Sequence, residues 1–144
     1  MSASNRAMVQ YLFTHGLNRH DLSVMMELLS DCTFHLPLVG EVRGEAMMQF
    51  FTSLLTAFPD IQRTIKEMVT DDIHNVAALW SLTGTHLGPF MGIAPTGKRI
   101  AITGMSMYRI SGGKIVEEWV EWDALGLMQQ LGAVPTFQHE AVTA

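Results

Sequence analysis

An α+β fold is the class this sequence predicts, and three observations carry it. Apolar residues recur at helical spacing through the first third of the chain, then give way to extended, alternating segments, and a Gly-Gly turn joins the last two of these. The 144 residues suit one domain, with an ordered core over about 5–133 and a tail over 133–144. No repeat, low-complexity tract or Pro/Gly linker divides it.

Asn5 to Gly16 places Met8, Tyr11, Leu12 and His15 on one helical side, and Gly16 is a stop signal. A second helix starts near Asp21, a good N-cap, with Leu22, Met25, Met26 and Leu29 together. Cys32 to Leu36, bounded by Pro37, reads as a short strand. Gly44 to Ala57 is a third helix with Met47, Phe50, Phe51, Leu54 and Leu55 as its stripe, ended by Phe58-Pro59. Strands follow over Ile61 to Thr70, Val76 to His86, Lys98 to Ile110 and Ile115 to Asp123. Asp71-Asp72 with Asn75, and Ser111-Gly112-Gly113-Lys114, mark the turns. Ala124 to Leu131 is a short closing helix, capped by Gly132. Helices then cover one face of an antiparallel sheet. Strands apolar on both faces leave the other face for a second copy, which predicts a homodimer through the open sheet face.

Composition narrows the function. Nine Lys+Arg against fourteen Asp+Glu give a net charge of −5, and no cationic cluster concentrates a field for phosphate. Nucleic acid and anionic membrane surfaces are therefore poor partners. No apolar run reaches the about 18 residues of a bilayer span, and the N-terminus has no signal-peptide pattern, so the expected compartment is the cytoplasm. The single Cys32 excludes an internal disulfide and a cysteine-based zinc site, and the six histidines form no helical i, i+4 pair, so no metal is expected. Gly92 to Lys98 has the spacing of a phosphate-binding loop, but Arg99 replaces the Ser/Thr and a strand follows, which excludes nucleotide binding. Eleven methionines suit either a plain core or an adaptable apolar cavity.

Uninterrupted pairing from the Gly112-Gly113 turn sets Tyr108 opposite Glu117, Ser106 opposite Trp119 and Gly104 opposite Glu121. Glu117, Trp119, Glu121 and Asp123 then share a face with Ser106 and Tyr108. The other face carries Val116, Glu118, Val120, Trp122, Met105 and Met107. Either face can be the inner one on this evidence; the usual exposure of acidic residues favours the second as core.

The segment Gly84-Thr85-His86-Leu87-Gly88, running through Gly92 and Pro95-Thr96-Gly97-Lys98, resembles the GTHxGxxxGxxPTGK signature of the SnoaL-like polyketide cyclases, also called ester cyclases. Gly113-Lys114-Ile115-Val116-Glu117-Glu118-Trp119, the run Asp123 to Gly132, Phe34-His35-Leu36-Pro37 and Arg43-Gly44-Glu45-Ala46 extend the likeness over about residues 5–133. The resemblance implies the nuclear-transport-factor-2-like fold: a cone-shaped curved sheet closed by helices around an apolar cavity, usually dimeric. The founding members close a ring by intramolecular aldol condensation with no metal or cofactor, using a strand-borne acid as general acid/base. Carried over by position, that acid falls best at Glu121, with Asp123 beside it, and His35 becomes a polar pocket residue. Trp80, His86, Ser106, Tyr108 and Trp119 become substrate-binding candidates; Ser106 stands where the founding cyclases carry a histidine. Asp123 also suits a helix cap, and His86 a brace for the loop from Leu87 to Gly97.

Two functions follow. The leading one is cofactor-free acid/base chemistry, an aldol-type cyclisation or a related isomerisation or hydration, on an apolar carbonyl-bearing small molecule. The alternative is a non-catalytic dimer of the same fold that binds a hydrophobic small molecule.

Overall fold

The chain begins with helix α1 (Ser2–Tyr11), which loosens into a π-helical segment (Leu12–Leu17) before helix α2 (Leu22–Leu29). The structure is a computed structural model and describes residues 2–136; the expected tail falls largely on 137–144, outside the described residues. The π segment replaces the last turns of the expected first helix. Its signature is the wider hydrogen bonding of Asn18 N–H to the Phe13 carbonyl (2.9 Å) and of Asp21 N–H to that of Gly16 (3.0 Å). Asp21 caps α2 as its residue type predicts, its carboxylate accepting from Ser23 N–H (3.0 Å) and Val24 N–H (3.3 Å). Helix α3 (Glu45–Ala57) turns Met47 and Phe51 into the core.

Strands β1 (Thr33–Leu36), β2 (Gly40–Arg43), β3 (Gln62–Thr70), β4 (Asn75–Thr85), β5 (Arg99–Ser111) and β6 (Lys114–Trp122) make one curved sheet in the order β2-β1-β6-β5-β4-β3, and helix α4 (Ala124–Gln130) follows. The α+β class, the helices ahead of the strands and the short final helix are as expected. Two features are not. Strand β2 has a single buried residue, Val42, and so carries no periodic signal. Strand β1 lies parallel to β6, which brings Phe34 beside Glu118 and His35 beside Trp119. The sheet is therefore mixed rather than wholly antiparallel.

Alternation along β4 and β5 defines an inner and an outer face. Val76, Ala78, Trp80 and Leu82 are buried on β4, and Ile100, Ile102, Ser106, Tyr108 and Ile110 on β5. The Gly112-Gly113 turn is the expected one, with both φ positive (58° and 75°), as a two-residue hairpin of this type requires. Pairing begins as expected, with Ser111 opposite Lys114 and Ile110 opposite Ile115. The next pair is Arg109 with Glu117. Val116 is thus an extra residue, a β-bulge, and beyond it every β6 side chain lies on the face opposite to the one uninterrupted pairing assigns. Tyr108 pairs with Glu118, Ser106 with Val120, Gly104 with Trp122, and Met105 and Met107 with Glu121 and Trp119.

Gly104 is required by a close approach. A Cβ there would lie 2.4 Å from two ring atoms of Trp80 and 2.9 Å from the Glu121 carbonyl oxygen. Gly104→Ala is expected to destabilise the fold by about 2 kcal/mol, in the range for overpacking a tight interior, as measured by urea unfolding. A cost near zero would show that the Trp80 ring is free to move aside.

Candidate active site

The inner sheet face, the π segment, α2, α3 and the chain around Phe58 to Ile61 enclose a cavity of about 90 Å³. Phe13, Leu29, Phe34, Phe51, Leu54 and Phe58 are among its apolar walls. Against them stand four polar side chains, Arg63, Ser106, Tyr108 and Glu118. Each is placed by strand alternation. Arg63 follows the inward phase of β3, Ser106 and Tyr108 that of β5, and Glu118 reaches the cavity through the bulge at Val116.

Glu118 is 7% exposed, a carboxyl almost wholly removed from water. Burial pushes its pKa up to about 7, although hydrogen bonding from Ser106 and Tyr108 and the positive charge of Arg63 pull the other way. Tyr108 is buried beside it, and burial together with the Glu118 charge holds the phenol above its ordinary value. Burial lowers the Arg63 pKa, opposed by Tyr108 and Glu118; a guanidinium is so strong a base that it remains a cation at neutral pH. Trp80 Nε1–H donates to Ser106 Oγ (3.0 Å), which leaves the Ser106 hydroxyl proton free to turn toward the carboxylate. The cluster thus combines a carboxyl poised between acid and base at neutral pH, two hydroxyl donors and one cation. It can remove a proton from carbon and stabilise the oxyanion that forms.

The sequence-derived candidates divide between the two faces. Trp80, Ser106 and Tyr108 line the cavity. Glu121 lies exposed on the outer face, opposite Met105. Trp119 shares that face. His35 stacks on it (ring centroids 5.0 Å, planes 8° apart) and bonds through Nε2 to Glu117 Oε2 (2.8 Å). The placement of Glu121, Trp119 and His35 in the pocket is corrected by the bulge, together with the parallel β1–β6 pairing that carries His35 outward with Trp119. Asp123 ends β6 and caps α4, its carboxylate accepting from Gly126 N–H (2.9 Å).

His86 is fully buried at the end of β4 but does not line the cavity. Its Nδ1 accepts Thr96 N–H (3.2 Å) and lies 3.0 Å from Thr96 Oγ1, so the ring proton sits on Nε2, which has no partner. The ring packs against Phe58, at a centroid distance of 5.4 Å. His86 therefore clasps the loop that brings Phe90 to the cavity wall.

Glu118 and Arg63 were not among the candidates. Arg63 had a legible signal: it is the cation between Ile61 and Ile65 on an alternating strand. Glu118 had a fainter one, its place between Val116, Val120 and Trp122. Burial also raises the Cys32 thiol above its ordinary value, which keeps it unreactive. Among the described residues, no group of three or more His, Cys, Asp and Glu side chains is arranged to hold a metal ion, and no helix is long and apolar enough to cross a membrane.

The family model for the SnoaL-like polyketide cyclases matches residues 7–131, and the chain belongs to that family. Among solved structures, AclR from Streptomyces galilaeus, provisionally described as a hydroxylase, is 31% identical; the likeness covers 94% of this chain and 85% of that one, with a TM-score of 0.83. TsrD from Streptomyces laurentii is 25% identical over 92% of this chain and 97% of its own, with a TM-score of 0.80. IdmH from Streptomyces antibioticus, provisionally described as a polyketide cyclase, is 28% identical over 88% and 97%, with a TM-score of 0.77. No curated protein matches the chain in sequence.

The raised pKa of Glu118 has a consequence for stability. Between its ordinary value of 4.5 and its folded value of about 7, the native state binds the proton more tightly than the unfolded chain does. Its contribution therefore falls as pH rises through that window and levels off above it. The shift corresponds to a cost on the order of 3 kcal/mol at alkaline pH. Glu118→Gln, which carries no charge, is expected to gain stability relative to the wild type between pH 5 and 8, by about 2 kcal/mol or more. Urea titrations across that range check it; parallel curves for the two proteins would contradict it.

Proposed function

We propose that this member of the SnoaL-like polyketide cyclase family carries out cofactor-free acid/base chemistry with Glu118, on an apolar small molecule bearing carbonyl groups. The observation that carries the reading is a single carboxyl buried in an apolar cavity, with its pKa near neutrality and a cation and two hydroxyls beside it. The family match and the likeness to IdmH support cyclisation as the reaction class.

The steps balance within one substrate molecule. Ionised Glu118 takes a proton from a carbon next to a carbonyl, and the C–H electron pair moves onto the carbonyl oxygen as an enolate. Arg63 and the Tyr108 hydroxyl offset that negative charge. The enolate carbon then attacks a second carbonyl of the same molecule, forming the C–C bond of the new ring. The alkoxide produced takes the proton back from Glu118. A carboxyl with a pKa of about 7 serves both transfers at neutral pH.

Proton abstraction is testable with a surrogate. 5-Nitrobenzisoxazole loses its ring C–H proton to a base as its N–O bond breaks, giving a coloured phenolate. The wild type is expected to catalyse this opening with a rate that rises with pH through about 7. Glu118→Gln is expected to lose about 10²-fold or more, the usual contribution of a positioned base. Glu121→Gln, altering an exposed outer-face residue, is expected to keep the wild-type rate. Equal rates for the wild type and Glu118→Gln would favour a binding protein over an enzyme.

The same reading includes a homodimer through the outer sheet face. Met105 and Met107 are 52% and 38% exposed there, beside the half-buried Trp119. Apolar and aromatic side chains of this kind anchor protein interfaces. Sedimentation velocity is expected to give twice the monomer mass, and Met107→Glu to shift it to one. A monomeric wild type at micromolar concentration would remove the proposal.

A further inference from the structure

Arg63 is the one cation among the residues that line the inner cavity. Among the described residues its guanidinium enters no ion pair and donates no hydrogen bond, whereas Arg43, Arg99, Arg109 and Lys114 each pair with a carboxylate at the surface. Its backbone, by contrast, is held at two points. Asn18, just after the π segment, accepts Arg63 N–H through Oδ1 (2.7 Å) and donates from Nδ2 to the Arg63 carbonyl (2.7 Å). Strand β3 is an edge of the sheet, so this amide takes the place that a further strand would fill. The neighbouring residues are tied to the same segment: Gln62 Nε2–H donates to the Asn18 carbonyl (2.8 Å) and His20 Nε2–H to that of Ile61 (2.8 Å). Arg63 pairs with the buried Leu82 of β4, which fixes its inward phase.

A cation withdrawn from water is costly unless an anion meets it. Glu118 is the one carboxyl among the lining residues, and it does not fill that role. The two side chains form no ion pair, and burial raises the Glu118 pKa to about 7 against the pull of Arg63. Below that pH the carboxyl is protonated, and the cavity carries the full charge of Arg63. The group that completes the guanidinium therefore comes from the ligand. A planar guanidinium meets a planar carboxylate through two parallel hydrogen bonds, and its remaining donors are still free for an enolate oxygen. Apolar walls and a single cation suit one negative charge rather than the two of a phosphate ester.

We propose that Arg63 is the anion receptor of the cavity, and that the substrate is a carbonyl compound with one free carboxylate, which Arg63 binds while the carbon that loses its proton lies against Glu118. The inference rests on the acid/base reading and names its substrate class, a keto acid in preference to the ester of that acid.

The probes are 4-oxopentanoate and its methyl ester, which share a skeleton and differ in charge. Binding is read from the indole N–H resonance of Trp80, a cavity residue, at about pH 6, below the Glu118 pKa of about 7. The wild type is expected to bind the acid about tenfold or more tightly than the ester, the worth of a charge-assisted hydrogen bond. Arg63→Met removes the charge from a side chain of similar reach and is expected to bring the two ligands to equal affinity. Arg63→Lys is expected to keep part of the preference. Raising the pH to about 8 ionises Glu118, offsets the charge of Arg63 and is expected to weaken binding of the acid alone. Tyr108 and Cys32, the other titratable groups close by, stay protonated there because burial raises both. An ester that binds as tightly as the acid, an acid preference that survives Arg63→Met, or a wild type that binds neither would overturn the proposal. Failure of the Glu118 reading is distinguishable. Glu118→Gln is expected to keep the acid preference at both pH values. A wild type inactive toward 5-nitrobenzisoxazole that still selects the acid loses the Glu118 chemistry and retains the receptor.

Discussion

One extra residue at Val116 sets which carboxylates of this chain meet water and which does not. Strand β6 carries Glu117, Glu118 and Glu121, with Asp123 just past its end. Uninterrupted pairing with β5 would send Glu117 and Glu121 inward together with Asp123, three like charges in an apolar space. That burial would be prohibitive without partners. The bulge after Ile115 turns the strand so that a single carboxyl, Glu118, enters between Tyr108 and Ser106. Val120 and Trp122 follow it inward and supply apolar wall. The whole site rests on this register, because a shift of one residue exchanges the two faces completely.

A lone buried carboxyl works against the fold that holds it. Its raised pKa is the measure of that conflict, and the surroundings relieve it only in part. Ser106 and Tyr108 offer hydroxyls and Arg63 offers charge, while Trp80 fixes Ser106 by its indole N–H. Trp80 in turn lies where it does because Gly104 leaves room for the ring. Removing any one of these supports leaves the next without its orientation. A group that lowers stability and is surrounded by a dedicated set of partners marks a place where a fold departs from its own stability optimum.

The architecture was readable because long periodic segments state their type directly. The α3 stripe, the β4 and β5 alternation and the Gly112-Gly113 turn each translate into one element, and Asp21 into a cap. Strand β2 was not readable, since one buried Val42 in four residues makes no pattern. The bulge was not readable either. A two-residue turn sets the register of the first pairs but carries no information about an insertion three residues later. The residues alone favour the face of Glu118, Val120 and Trp122 as the inner one, which holds for β6, but they set Met105 and Met107 on that same face, and the bulge leaves those two outside; the family resemblance, carried over residue by residue on uninterrupted pairing, places the acid at Glu121. What the resemblance conveyed soundly was the fold; it also implies an acid on the last strand. Its exact position depended on a register that only the three-dimensional pairing supplies.

The outer face shows why residue type is a weak guide to a site. His35, Glu117, Arg109 and Trp119 make a denser polar cluster than the inner one, with His35 Nε2 2.8 Å from Glu117, Arg109 3.3 Å from the same carboxylate, and its guanidinium 4.9 Å above the Trp119 ring. Histidine, carboxylate and tryptophan in contact is what a search for acid/base machinery would select. Yet these side chains are partly exposed, so water screens their charges and pairing of this kind contributes little. Glu118 has no histidine beside it, and its proton affinity is shifted because water is absent. Desolvation rather than the number of polar contacts makes a carboxyl a useful base near neutral pH. On that criterion Glu118 on the inner face, and not the outer cluster, is the carboxyl suited to act as a base near neutral pH.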